Sequence, residues 1–211
     1  MWLYSFDEDD DDDDDDNDES ESPDSDESKK DSPDLSVKLM KTRTVIISEP
    51  VTARLAQKVI TQLLLLEQDS DEDITVIINS PGGDGYSGNA IYDMMKYIKP
   101  RVKTLVAGMA ASAATTITLG GEKGFRCSLP HSKILIHQPS MGMRGTATDI
   151  EIEATQLAKF HKEMIQLISE ETGQTEEKIL DDIKRNFWMS AEEALNYGII
   201  NKIIKSRQEM P

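Results

Sequence analysis

A serine, a histidine and a pair of glycines are the residues of this 211-residue chain whose settings suit acyl-transfer chemistry. Ser112 lies in Gly108-Met-Ala-Ala-Ser112-Ala-Ala, after a strand-like run and at the first residues of an alanine-rich helical segment. A helix start offers free N–H groups and the positive end of the backbone dipole, which stabilise developing negative charge. Small neighbours let a substrate backbone approach. The motif is not a Gly-x-Ser-x-Gly elbow, and a small residue capping a buried helix is the competing reading. His137, in Ile134-Leu-Ile-His137-Gln-Pro139, ends an apolar strand. Strand ends of parallel sheets are where active sites gather; a histidine held by structural hydrogen bonds is the ordinary alternative. His131, in a Pro-His-Ser turn, and His161, on a long helix among Lys159, Lys162 and Glu163, are weaker candidates, and His161 is expected to be solvated. Asn79-Ser-Pro-Gly-Gly83 can turn backbone N–H groups toward a ligand, as an oxyanion hole requires. A phosphate loop would need a downstream Lys-Ser/Thr that is absent.

The elements that must position these residues alternate between strand and helix. Thr44–Ser48, Ile74–Ile78, Val102–Ala107, Phe125–Cys127 and Ile134–Ile136 read as short apolar strands, nearly continuous where both sheet faces are to be covered. Thr52–Leu66, with Leu55, Val59, Ile60, Leu63 and Leu64, has the spacing of an amphipathic helix. Asn89–Ile98 and Ala110–Leu119 follow as helices. A long helix is expected from about Thr148 to Glu171, with a capping box of Thr148 and Glu151 and with Gly173 past its end. Ser190 and Glu193 repeat that spacing before a short helix ended by Gly198. Repeated β-α units imply a layered α/β fold with a largely parallel sheet.

The net charge of −17 is uneven. Residues 1–35 carry eighteen Asp or Glu against two Lys, a net of −16, which leaves −1 for the other 176 residues. Residues 1–35 are therefore expected to be a disordered, self-repelling acidic tail, and 36–211 the folded domain. A near-neutral body gives no basic footprint for nucleic acid. One cysteine, Cys127, permits no intrachain disulfide and fits a reducing compartment. No apolar run is long enough to span a bilayer. The first residues lack the features of a secretory signal or transit peptide, so the cytoplasm is the expected location.

Taken together, Ile-Asn-Ser-Pro-Gly-Gly (78–83), Gly-Met-Ala-Ala-Ser (108–112), Ile-His-Gln-Pro (136–139), Ala-Thr-Asp-Ile-Glu-Ile (147–152) and Met-Ser-Ala-Glu-Glu-Ala (189–194) resemble the signatures of the ClpP serine-peptidase family, in its order and spacing. The resemblance covers roughly residues 36–205. It implies a crotonase-like layered α/β fold with a protruding strand-helix handle at 138–171, and subunits forming two stacked seven-membered rings around a chamber. It implies a serine endopeptidase with Ser112 as nucleophile and His137 as general base, and with Gly83 and Ala113 giving the oxyanion hole through their backbone N–H groups. The implied partners are polypeptide substrates and hexameric AAA+ unfoldases of the ClpX, ClpA or ClpC kind. The unfoldase would use the ATP; this chain has no Walker-type loop and no recognisable metal-ligand cluster, so no cofactor is expected.

Four positions depart from the family pattern. Asn186 aligns with the Asp that orients the histidine; Asn can donate and accept hydrogen bonds but cannot stabilise an imidazolium by charge. Asp182, one helical turn earlier, is the alternative carboxylate. Asp84-Gly85 adds a carboxylate beside the oxyanion loop. Ala113-Ala114-Thr115 stands where Met-Gly-Ala is usual, and the segment before Ser36 does not resemble the family's axial loop. Two readings follow: an active serine endopeptidase, or a weakly active or inactive structural subunit assembling with an active paralogue. A crotonase-fold acyl-CoA enzyme is disfavoured, because serine and histidine match ClpP at both positions.

Overall fold

The computed structural model describes residues 35–211, so the acidic tail expected over 1–35 falls almost wholly outside the described residues. The chain runs α1 (Leu35–Lys41), β1 (Thr44–Ile47), α2 (Ala53–Asp69), β2 (Ile74–Ser80), α3 (Gly85–Tyr97), β3 (Val102–Ala111), α4 (Ala113–Leu119), β4 (Arg126–Ser128) and β5 (Lys133–Ile136). It continues with α5 (Ala147–Thr172), α6 (Glu176–Asp182), β6 (Phe187–Ser190), α7 (Ala191–Tyr197), β7 (Lys202–Ile203) and a closing 3-10 turn (Arg207–Glu209).

β1, β2, β3, β4 and β7 form a parallel sheet in that order. Its strands are built from Val and Ile buried on alternate positions, including Val45, Ile47, Ile74, Val76, Ile78, Val102 and Val106. Along the edge away from β2, the ten-residue β3 serves two neighbours. Its first part, Thr104 to Val106, pairs with β4, and its last part, Met109 to Ala111, pairs with β5. Between the two, Gly108 adopts φ 114° and lies so close to Asn79 that a Cβ would stand 2.5 Å from Asn79 Oδ1. A non-glycine residue would be strained there and would clash. β6 then pairs antiparallel with β5. The layered α/β expectation holds, and the forked sheet is an addition to it.

Several boundaries differ from the sequence reading. α3 begins at Gly85 rather than Asn89, because Asp84 Oδ1 accepts from Ser87 N–H at 2.7 Å and caps it. β3 continues through Ala111, so α4 begins at Ala113 rather than Ala110. The capping box of α5 is Thr146 with Asp149, not Thr148 with Glu151: Asp149 N–H meets Thr146 Oγ1 at 3.3 Å and Thr146 N–H meets Asp149 Oδ2 at 3.2 Å. α1, α6, β6 and β7 were not anticipated. They are short, and short elements take their form from tertiary packing more than from pattern. The capping box of Ser190 with Glu193 and the left-handed Gly198 after α7 are as expected.

The first ten residues of α5, 147–156, are exposed on every side, with Ile150 and Ile152 among them. Its second half packs down on the body, and a buried ion cluster anchors its end. Arg126 on β4 has no exposed surface; it donates from Nε to Gly121 O at 2.8 Å and from Nη1 to Glu171 O at 3.2 Å, and its Nη2 pairs with the Glu171 carboxylate. Tyr92 on α3 donates to Glu171 Oε1 at 2.7 Å, and Lys96 Nζ stands 3.3 Å from the same oxygen. One carboxylate thus ties α5 to β4 and to α3. Burial pushes the Tyr92 phenol up, and the hydrogen bond to Glu171 pushes it further. Burial alone would raise the Glu171 carboxyl, but the bonds from Tyr92 and Arg126 and the charges of Arg126 and Lys96 outweigh it and hold the group below its ordinary range.

Since the folded value lies below the unfolded one, about 4.3 for Glu, this contribution is complete above that pH and is lost as pH falls through the folded value. Glu171→Gln is expected to cost about 3–5 kcal/mol near neutral pH by stranding the buried Arg126 charge. It should also flatten the fall in stability below about pH 5. Urea unfolding at fixed protein concentration across that range is the check; equal stability of the two proteins would refute the role of the cluster.

Candidate active site

Ser112 occupies the single residue between β3 and α4, at φ 55° and ψ −123°. A non-glycine residue at positive φ is strained, and such a sharp strand-to-helix turn pushes its side chain out of the fold. Neighbouring atoms impose the conformation. Ser112 N–H donates to Leu135 O on β5 at 2.9 Å. The buried Thr115 hydroxyl lies 2.9 Å from Ala110 O and 2.8 Å from Leu135 O, pinning the ends of β3 and β5 beside the turn. Gly82 backs against it: a Cβ there would stand 2.2 Å from Ala111 O and 2.8 Å from Ser112 Cβ. With φ 86° as well, that position admits only glycine without rearrangement.

The Ser112 hydroxyl does not cap α4. It lies instead 2.8 Å from His137 Nε2. The capping reading of this serine is thereby displaced, since its oxygen is committed to the histidine. His137 follows β5 directly and is partly buried. The next residue is fastened to the end of α6, with Gln138 N–H donating to Ile183 O at 2.8 Å and Gln138 Nε2 to Lys184 O at 3.1 Å. A serine hydroxyl within reach of an imidazole nitrogen is the geometry in which that nitrogen can take the hydroxyl proton.

Gly83 and Ala113 adjoin the serine: Ala113 follows it in the chain, and Gly83 follows Gly82, which backs against it. Gly83 bridges Val51 through its flanking residues, with Val51 N–H donating to Gly82 O and Asp84 N–H to Val51 O, each at 2.8 Å. Among the described residues neither the Gly83 nor the Ala113 N–H has a protein acceptor. Ala113 is the first residue of α4, where an N–H has no intrahelical partner. Both line the cleft that Ser112 and His137 open into, a space of about 430 Å3. Its far wall includes Leu157, Phe160, Met164 and Ile168 of α5, residues the sequence reading did not single out. Their spacing along one helix face was the available signal.

Asn186 directly precedes β6, the strand that pairs with the one His137 follows. The register pairs Ile134 with Met189, Leu135 with Trp188 and Ile136 with Phe187, and the ladder ends there, with His137 following β5 and Asn186 preceding β6. Yet Asn186 is exposed, and among the described residues no hydrogen bond links it to His137. Asp182 is occupied elsewhere, accepting from Tyr197 Oη at 2.9 Å and pairing with Lys178 at 2.5 Å. Of the remaining histidines, His131 is exposed as its turn implied. His161 differs from expectation: it is partly buried, and its Nε2 is out of solvent without a hydrogen-bond partner among the described residues. The second half of α5, on which it lies, packs against the body, so charged neighbours in sequence did not imply a solvated ring.

No group of three His, Cys, Asp or Glu among the described residues is arranged to hold a metal ion. Nor is any described helix long and apolar enough to cross a membrane.

The chain is similar to known proteins along most of its length. The Clp protease family model matches residues 27–207. ATP-dependent Clp protease proteolytic subunit 1 of Shouchella clausii is 47% identical over 172 residues, 81% of this chain and 89% of the relative. ATP-dependent Clp protease proteolytic subunit 3 of Rhizobium etli is 44% identical over 172 residues, 82% of this chain and 89% of the relative. Among solved structures, an asparagine-to-aspartate mutant of ClpP1 from Listeria monocytogenes is 45% identical, with a TM-score of 0.78, covering 84% of this chain and 99% of that one. These matches coincide with the domain that carries the serine, the histidine and the forked sheet, and the chain belongs to the Clp protease family as a ClpP-type proteolytic subunit.

Proposed function

We propose that this subunit is a serine endopeptidase that cleaves polypeptides with Ser112 as nucleophile and His137 as general base. The observation that carries the proposal is the 2.8 Å approach of Ser112 Oγ to His137 Nε2 at the strained turn. His137 Nε2 takes the hydroxyl proton as Oγ bonds to the scissile carbonyl carbon. The oxyanion so formed accepts from the free N–H groups of Gly83 and Ala113. Collapse breaks the C–N bond, and the imidazolium gives its proton to the leaving amine. A water, deprotonated by the same nitrogen, then releases the acyl group from Ser112.

For Nε2 to accept a proton, Nδ1 must carry one, and the candidate to hold it is Asn186, which stands next to the last pair of the β5–β6 ladder. Its amide oxygen would hold the tautomer by a hydrogen bond without a compensating charge. An active subunit with modest turnover follows. The same uncharged side chain favours, as a second reading, a structural subunit that depends on an active paralogue.

On this proposal the subunits assemble into two stacked seven-membered rings, homomeric or mixed, in the cytoplasm. Ile150 and Ile152, on different faces of a stretch of α5 that is exposed on every side, support an assembled state, because large apolar side chains left open on such a helix are the kind a partner covers. Folded substrates would be delivered by an AAA+ unfoldase of the ClpX, ClpA or ClpC type. That partner would use the ATP, and this chain would need no cofactor.

Hydrolysis of a fluorogenic peptide by the purified protein is expected to vanish in Ser112→Ala and to rise at least about tenfold in Asn186→Asp. In serine proteases the reverse exchange at this position lowers turnover by about ten-thousand-fold. Activity surviving Ser112→Ala would overturn the mechanism. Silence in the wild type and in Asn186→Asp alike would favour the structural reading.

The eighteen acids of residues 1–35 supply a separate test. If the tail gates entry by charge, deleting residues 1–34 or raising salt should speed hydrolysis of an acidic peptide. Unchanged rates under both treatments would leave the tail a solubilising segment.

A further inference from the structure

Asp84 lines the same cleft as Ser112 and His137, and its role as a helix cap engages only half of its carboxylate. Oδ1 accepts from Ser87 N–H at 2.7 Å and Asp84 N–H donates to Val51 O at 2.8 Å, so side chain and backbone are both held. Oδ2 has no hydrogen-bond partner among the described residues, and the residue is exposed. Gly82, two positions earlier, touches the turn at Ser112. Two residues of chain span at most about 7 Å, so the fixed carboxylate lies within a few residues' reach of the nucleophile along a substrate bound in the shared cleft.

Asp84 is the only carboxylate among the residues lining this cleft, and no lysine or arginine lines it. Beside it, Tyr86 and Phe160 pack edge to face with ring centroids 5.1 Å apart, and Gly85 admits the Phe160 ring closely. An anion held at the end of an aromatic wall suits one kind of side chain. The methylene stem of Lys or Arg packs on the rings while its head meets the free oxygen. An acidic side chain in the same place would meet repulsion without a compensating cation.

We propose that Asp84 is a specificity-determining residue, selecting polypeptides with Lys or Arg within two residues of the scissile bond and disfavouring Asp or Glu there. The proposal rests on the peptidase reading of the cleft. A purely structural role for Asp84 leads elsewhere, because Asn caps a helix as well as Asp does but carries no charge.

The test compares fluorogenic peptides identical except for Lys, norleucine or Glu placed in turn at each of the two positions on either side of the cleaved bond. At one of these positions the wild type is expected to favour Lys over norleucine by roughly fivefold or more in kcat/KM, a margin that shrinks as salt rises. In Asp84→Asn the ratio should fall to about one, with Glu peptides improving relative to norleucine. The readout is a ratio, so a general change of rate does not disturb it. Binding of the same peptides to Ser112→Ala, with and without Asp84→Asn, followed by fluorescence anisotropy, gives the ratio independently of turnover. No preference for Lys in either assay, or a preference that survives Asp84→Asn, overturns the role of Asp84. Hydrolysis that survives Ser112→Ala overturns the peptidase reading instead, and the two failures are separable.

Discussion

The backbone of Ser112 is the constraint on which the cleft depends. A non-glycine residue at φ 55° costs on the order of 1–3 kcal/mol, and it persists only where its surroundings over-determine it. Here they do so from three directions. The amide is bonded to β5, the Thr115 hydroxyl holds the carbonyl ends of β3 and β5, and Gly82 occupies the space behind the turn. Ala113 and Ala114 follow at once and are buried, with Ala113 in close contact with Gly88 of α3. The run of small residues after Ser112 lets two helices approach tightly enough to lock the turn. Strain and small side chains are therefore two aspects of one device that presents a hydroxyl instead of burying it.

The forked sheet sets the second dimension of the site. Had β3 paired with a single neighbour along the whole of its edge away from β2, the strand that leads into His137 would have had no place beside Ser112. Because β4 takes only the first part of β3, β5 can pair with the last three residues and end beside the turn. The antiparallel β6 then extends the same ladder toward Asn186. Serine, histidine and asparagine are separated by 25 and 49 residues in sequence, yet each directly flanks an end of one of the mutually paired strands β3, β5 and β6.

Much of this was legible in the sequence where a local rule applied. The apolar strands, the α2 stripe, the Ser190–Glu193 box and Gly198 each follow from a pattern a few residues long. Ser112 and His137 were visible as candidates, but neither could be separated from a cap or a structural histidine without the family resemblance. What decides between those readings is a contact between residues 25 apart, which no local pattern encodes. The start of α5 shows a different failure. Thr148 and Glu151 have a permissible capping spacing, but Thr146 and Asp149 have one too, and the structure uses the earlier pair. The fork in the sheet lies wholly in the register of β3 and leaves only Gly108 as its trace. The Arg126–Glu171 cluster was equally hidden, since a charged residue in a short strand and another near a helix end look solvated until the chain folds over them.

Support for the three chemical groups is unequal, and the inequality follows from the order of the strands. Ser112 is held by a strand, a helix and a glycine loop. His137 is held by β5 and by the bonds from Gln138 to Ile183 and Lys184. Asn186 has neither advantage. It stands just before a four-residue strand that, among the described residues, pairs with β5 alone and leaves its other edge open. The neighbouring Trp188 is exposed to 49% of its surface. An edge strand with free backbone groups and a large exposed aromatic ring is incompletely specified by its own chain. The serine and histidine are thus preorganised by the fold of one subunit. Asn186, the residue proposed to orient the histidine, sits beside an open strand edge, so its geometry is the part of the site most open to whatever covers the outer edge of β6.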